Sequence, residues 1–313
     1  MRLEGLPNNK ESVFSREMRL VQIDGGLGNQ MFQYAFYCSL KALYSDVNLN
    51  TCFARNSKQH NGLELERVFN FTNKNGVRVE FLSLLYYYFE RLNRRIHNKK
   101  SFTRSLGRLI PFQLINEEEF SVYSSHYLMA QGRMLYFKGY WQSEKYFKDL
   151  IYPNEIFRFP ITNCNFKTEE LVAFIKSTEN CVSIHIRGGD YNAPANYSSF
   201  GNICNQEYYR KAIETIGSKV YKPTFIILSD DNELTNRSMP TDNSIFVDWN
   251  RGTESWQDMF IMSKCKHNIV ANSSFSWWGA YLNDNPNKIV IAPRKWHNLH
   301  EAPDICPPTW IRI

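Results

Sequence analysis

A Cys-x-x-Cys pair, a long apolar run and an Asp-x-Asp are all missing from this 313-residue chain. Its seven cysteines (Cys38, Cys52, Cys164, Cys181, Cys204, Cys265 and Cys306) are odd in number and irregularly spaced, with no Cys-x-x-Cys among them. That pattern excludes a zinc ribbon or a disulfide framework and predicts a reducing compartment. No stretch approaches the ~20 apolar residues of a membrane span. Glu4, Lys10, Glu11, Arg16 and Glu17 break up residues 1–17, which therefore read as a disordered lead-in with no signal-peptide core. The expected location is cytoplasmic, with peripheral contact on the inner face of a membrane as an option. No Asp-x-Asp occurs, and the adjacent pair Asp230-Asp231 is weak evidence for a metal, so none is expected. The net charge of +6 is modest and mostly dispersed, which gives no nucleic-acid footprint.

What the chain does have is enough apolar material for a large core, with 43% hydrophobic and 15% aromatic residues. Its length exceeds one ordinary domain. Pro153 to Lys167, with Pro160 and several Asn, looks like a passage, which suggests one domain over 18–160 and another over 161–313. Past that passage, strand patterns at 181–187, 224–229, 244–249, 268–272 and 288–292 alternate with helical ones. Tyr209, Ala212, Ile213 and Ile216 follow the helical period, as do Trp256, Met259, Phe260 and Ser263. Near-continuous apolar strands separated by such helices predict a parallel sheet covered on both faces, an α/β fold.

Chemistry collects where those strands end. Cys181 to Ile186 runs straight into Arg187, Gly188, Gly189 and Asp190, and the next strands end at Ser229-Asp230-Asp231, at Asp248-Trp249 and at Asn272-Ser273-Ser274-Phe275-Ser276. Ligands of open α/β sheets gather beyond strand C-termini. An Arg with helix-start hydroxyls suits a pyrophosphate, and carboxylates suit ribose hydroxyls or a guanine N–H edge. Near the start, strand pattern 19–23 leads into Asp24-Gly25-Gly26-Leu27-Gly28-Asn29-Gln30, a glycine-rich turn opening a helix, the arrangement that binds phosphates in dinucleotide folds. Met31 stands at the third glycine position, which argues against a nicotinamide or flavin site. Tyr140, Trp141 and Gln142 form an aromatic run able to stack on a sugar ring or to fill a core. Between Glu90 and Glu117 lie Arg91, Arg94, Arg95, Lys99, Lys100, Arg104 and Arg108 and no acid. A solvated basic face with its aromatic side packed inward is the simpler expectation, and peripheral membrane contact through residues 91–108 is the alternative.

Taken together, the Gly-Gly-Leu-Gly-Asn-Gln turn, Gly139-Tyr140-Trp141-Gln142, His185-Ile186-Arg187 with Asp190-Tyr191, Ser229-Asp230-Asp231, and Asn272 through Leu282 resemble the bacterial α-1,2-fucosyltransferases. The resemblance covers nearly the whole chain. It implies a GT-B-like fold, with two Rossmann-like domains facing across a cleft. It also implies inverting, metal-independent transfer of L-fucose from GDP-fucose to the 2-hydroxyl of a terminal galactose in a surface glycan. By that resemblance Arg187 meets the β-phosphate, His185 lies beside the nucleotide, Asn29 faces the reacting sugar and Asp258 reads guanine. Gly26, Gly28, Ser229, Asp230 and Asn272 complete the expected donor site. Ser273, Ser274 and Ser276 compete for the phosphate hydroxyl. Tyr140, Trp141 and Gln142 are expected on the acceptor. Asp190 is nominated as general base, or as a carboxylate that holds its own loop. One departure stands out: the family pattern is His-x-Arg-Arg-x-Asp, and this chain has Gly188 at the second Arg. That leaves as alternatives a transferase of another nucleotide sugar, or a weakly active or non-catalytic GDP-sugar or glycan-binding homologue.

Overall fold

The computed structural model describes residues 17–57, 60–71, 75–95, 111–229 and 242–313. Two sheets organise it. The first contains β1 (Met18–Gln22), β2 (Val47–Asn50), β3 (Gln113–Asn116) and β4 (Met134–Lys138) in the order β2-β1-β4-β3, every pair parallel. The second contains β5 (Cys181–Ile186), β6 (Thr224–Ser229), β7 (Ser244–Val247), β8 (His267–Ile269), β9 (Val290–Ala292) and β10 (Ile311–Arg312). Their order is β10-β9-β8-β5-β6-β7, and again all pairs are parallel. The α/β expectation therefore holds.

Most strand positions follow the apolar runs, and β6 matches its run residue for residue. Strands β7, β8 and β9 are shorter than their patterns, and β10 has no counterpart among them; β7 and β8 stop early where the chain turns towards the site. Asn272 and Ser273 leave the sheet, and Ser273 becomes an N-cap whose Oγ accepts the Phe275 N–H at 3.3 Å. Parallel pairing requires crossovers, and amphipathic helices supply them. The helices that position the site are α1 (Leu27–Leu43), α2 (Glu64–Phe69), α3 (Val77–Arg95), α4 (Phe166–Ser177), α5 (Gln206–Gly217), α6 (Trp256–Lys264) and α7 (Ser274–Tyr281). As the spacing predicts, Tyr209, Ala212 and Ile216 of α5 are buried, and so are Trp256, Met259, Phe260 and Ser263 of α6.

The two halves share one apolar core. Phe32 on α1 lies 4.5 Å from Trp277 and 5.0 Å from Trp278 of α7, between ring centroids, and Phe147 stacks on Trp278 at 5.5 Å. Helices α1 and α7 approach so closely that a Cβ on Gly28 would fall 2.5 Å from the Ser274 carbonyl carbon. The Gly28 carbonyl accepts the Trp278 indole N–H at 3.0 Å. Trp277 and Trp278 are therefore the joint between the halves.

Candidate active site

A cavity of about 460 Å³ opens beside that joint, and the carboxyl ends of both sheets contribute to it. From the first half come Gly26 to Asn29, which follow β1, and Tyr140 and Gln142, which follow β4. From the second come His185 and Arg187 at the end of β5, Ser229 at the end of β6, Asn250, Arg251 and Asp258 beyond β7, and Ser273 and Ser274 at the start of α7. The register Ile186↔Ser229 puts Arg187 one residue past the point where β6 ends beside it. Arg251, which the sequence reading missed, reaches the same edge and donates from Nη1 to the Ser229 carbonyl at 3.1 Å. Two guanidinium groups thus belong to one sheet edge. Arg187 lies 5.4 Å from the Tyr191 ring, and the Tyr191 hydroxyl donates to the Asn272 carbonyl at 3.1 Å, so the loop after β5 is tied to the one after β8.

His185 is almost wholly buried, and burial together with the neighbouring Arg187 charge lowers its pKa to about 3. The imidazole is neutral at neutral pH. Its Nδ1 has no hydrogen-bond partner among the described residues, although its ring borders the cavity. A buried polar atom in that state is available to a ligand. On the opposite wall, Gln142 Nε2 donates to Asn29 Oδ1 at 2.8 Å. Asp258, half-buried at the start of α6, accepts from Asn250 Nδ2 at 2.8 Å.

The glycine-rich turn differs from the phosphate cradle its pattern suggests. The Leu27 N–H, first in α1, already donates to Glu64 Oε2 at 3.1 Å. Glu64 is buried, pairs with Arg67 at 3.0 Å and borders the cavity, so an added phosphate at this helix start would meet a carboxylate. Glycine is required here for other reasons. Gly25 has φ +79°, and Gly28 admits α7. The polar residues after it are also structural. Gln30 Nε2 donates to the Gly25 and Gly62 carbonyls at 2.7 Å each, its Oε1 accepts the Glu64 N–H, and Gln33 Nε2 donates to the Gly139 carbonyl.

Three expected site residues turn away. Trp141 is fully buried and stacks on Phe36 at 4.2 Å, with rings 10° from parallel, so it is core and offers no face to a sugar. Glu117 holds that turn by accepting the Tyr140 and Trp141 N–H groups at 2.7 and 3.1 Å, which leaves Tyr140 facing the cavity. Ser276 is fully buried and its hydroxyl donates to the Ala271 and Ser273 carbonyls. Asn272 spends its amide on the Phe200 and Trp296 carbonyls at 3.2 and 3.3 Å. Of the serines, Ser273 and Ser274 remain at the cavity. Asp230 and the side chain of Asp190 lie outside the described residues. Among the described residues, no group of three or more His, Cys, Asp or Glu could hold a metal ion.

Residues 18–313 match the family model described as glycosyl transferase family 11. An α-1,2-colitosyltransferase of Escherichia coli is 32% identical, over 94% of this chain and 98% of that protein. The O-antigen biosynthesis glycosyltransferase WbnK of Escherichia coli is 30% identical, over 93% and 99% of the two chains. Among solved structures, the fucosyltransferase NodZ from Bradyrhizobium superposes with a TM-score of 0.51 at 14% identity, covering 87% of this chain and 96% of that one. That likeness is one of fold.

Proposed function

The chain belongs to glycosyl transferase family 11, and on that premise we propose that it moves L-fucose from GDP-β-L-fucose to the 2-hydroxyl of a terminal galactose, with inversion, in building a surface glycan such as an O-antigen. The observation that carries this reading is where positive charge meets the cavity. Arg187, Arg251 and the amino end of α7 are all on the second half's side, whereas at the α1 amino end the Leu27 N–H is already taken by the Glu64 carboxylate. A diphosphate therefore belongs on the second half. The base then reaches towards Asp258, a carboxylate suited to guanine N–H groups. The neutral His185 offers Nδ1 to the nucleotide.

In the reaction the acceptor 2-oxygen forms a bond to the anomeric carbon while the bond from that carbon to the β-phosphate oxygen breaks. The electron pair leaves with GDP and the hydroxyl proton is released. Arg187 and Arg251 offset the charge growing on the leaving diphosphate, which is the term worth most in a water-poor site. Arg251 also answers the family's missing arginine, because it brings a second cation to the edge where Gly188 brings none. Asn29, held by Gln142, and Tyr140 face the sugars from the other wall.

The 32% identity to a colitosyltransferase favours a second donor, because colitose is fucose without its 3-hydroxyl. Both are tested by incubating the protein with GDP-fucose, or with the GDP-linked 3-deoxy sugar, and a set of β-galactosides, then determining the product linkage by mass spectrometry and NMR. Fucosylated product with an α-1,2 linkage, unchanged in EDTA, is the expected result. Product only from the deoxy donor assigns the second reading. No product and no GDP binding by calorimetry overturns both.

A further inference from the structure

Helix α3 carries two apolar faces, and only one is covered. Val79, Leu82, Tyr86 and Tyr87 are buried, with the Tyr86 ring packed against Tyr136 of β4 at 3.8 Å between centroids. On the far side Val77 is 88% exposed, Phe81 65% and Tyr88 63%, and Leu84, Leu85 and Leu92 are exposed as well. At about 100° per residue these six fall within an arc of roughly 100°, opposite the buried set. Scattered exposed leucines need no explanation, but a continuous stripe over four turns does.

The charges around the stripe say what fits it. Arg78 and Arg91 are exposed at its two borders, with the Arg91 guanidinium held by the Tyr87 hydroxyl at 3.0 Å. Of the two acids on the helix, Glu90 is drawn inward, paired with Lys138 at 3.2 Å and accepting the Tyr86 hydroxyl, which leaves Glu80 as the exposed one. Onward from Glu90 the sequence is basic without an acid until Glu117. Among the described residues no helix is long and apolar enough to cross a membrane. An exposed apolar stripe bordered by arginine and continuing into basic sequence has the make-up of a helix that lies in an interface plane.

We propose that the outer face of α3 docks this protein on an anionic lipid bilayer surface, with Phe81, Leu84, Leu85, Tyr88 and Leu92 entering the headgroup boundary and Arg78 and Arg91 meeting lipid phosphates. This surface is centred on residues 77–92, N-terminal to the basic stretch that the sequence alone points to, and it does not depend on which sugar the enzyme transfers. No residue of α3 lines the cavity, so donor binding is expected to continue on the membrane-bound protein.

The test is co-sedimentation of the full chain with phosphatidylcholine vesicles, with and without phosphatidylglycerol, at low and high salt. The expected result is binding that needs the anionic lipid and weakens as salt rises. F81Q with L85Q should weaken the partition by about tenfold or more. The thermal melt and GDP affinity of this variant should match the parent. R78Q with R91Q should weaken binding at low salt and lessen its salt dependence. Absence of binding to anionic vesicles, or binding unaffected by F81Q with L85Q, overturns the proposal. So does an ultracentrifuge dimer that the same variant dissociates, since the face would then be covered by a second copy.

Discussion

Arg187 and His185 stand two residues apart on one strand end and do opposite things with charge. Arg187 keeps its charge at the cavity, so its loss should be felt when negative charge develops on the leaving group. Arg187→Ala is expected to lower kcat by roughly 100- to 1,000-fold, with an unchanged melting curve, and Arg251→Ala by less, because Arg251 also spends a hydrogen bond on Ser229. Steady-state kinetics on the two variants checks this, and a near-normal Arg187→Ala enzyme removes that side chain from the mechanism. His185 is held neutral by burial and by the Arg187 charge, which lowers its pKa to about 3. An unfolded histidine titrates near 6.5. Above that value neither state binds the proton and His185 has no effect on the pH dependence. Below it the unfolded chain takes a proton that the folded one refuses, so stability falls by about 1.4 kcal/mol per pH unit until the folded pKa is reached. Urea unfolding between pH 7 and pH 4.5 should therefore show a steeper acid loss for the parent than for His185→Gln. Parallel curves would contradict it.

At the scale of elements, α1 shows what the sequence makes legible and what it hides. The glycine-rich turn, the helix after it and its place at the site all follow from local pattern. That its first N–H is occupied by Glu64 does not, because Glu64 stands 37 residues away and carries no local signal. The same distinction runs through the site. Arg187, His185 and the Ser273-Ser274 pair are legible because strand-to-loop transitions are local. The choice between core and sugar-facing roles for Trp141 is hidden because it depends on a stacked partner, Phe36, far along the chain. Gly28 gives this a sharp test. Glycine inside a helix ordinarily costs about 0.5–1 kcal/mol relative to alanine, so Gly28→Ala would stabilise α1 were the helix alone. Against α7, its new Cβ would fall 2.5 Å from Ser274 backbone, and overpacking of that kind costs about 1–3 kcal/mol. The net expectation is a lower Tm together with weaker GDP binding, since the same shift moves Ser273 and Ser274. A raised Tm would show that the helices separate freely.

For the molecule as a whole, the decisive feature is that the cleft is floored by core. Length and composition suggest two bodies, and hydrogen bonding divides the strands into two sheets. Yet Phe32, Phe147, Trp277 and Trp278 form one aromatic cluster, with an indole of the second half bonded to the Gly28 carbonyl of the first. Bodies joined only by a linker would lose structure independently, whereas a shared core ties their opening together. Trp278→Ala removes both the ring and its hydrogen bond from the joint, a loss of about 3–5 kcal/mol for a buried tryptophan. If the core is one unit, hydrogen exchange should quicken by similar factors in β1 (Met18–Gln22) and β5 (Cys181–Ile186), although Trp278 belongs to neither sheet. GDP, which the proposed reading seats on the second half, should restore protection in β5 and, through the shared core, in β1 as well. Faster exchange in β5 alone would mean that the halves fold as separate bodies, and the cavity's geometry would then depend on how they happen to lie rather than on the aromatic joint that fixes it.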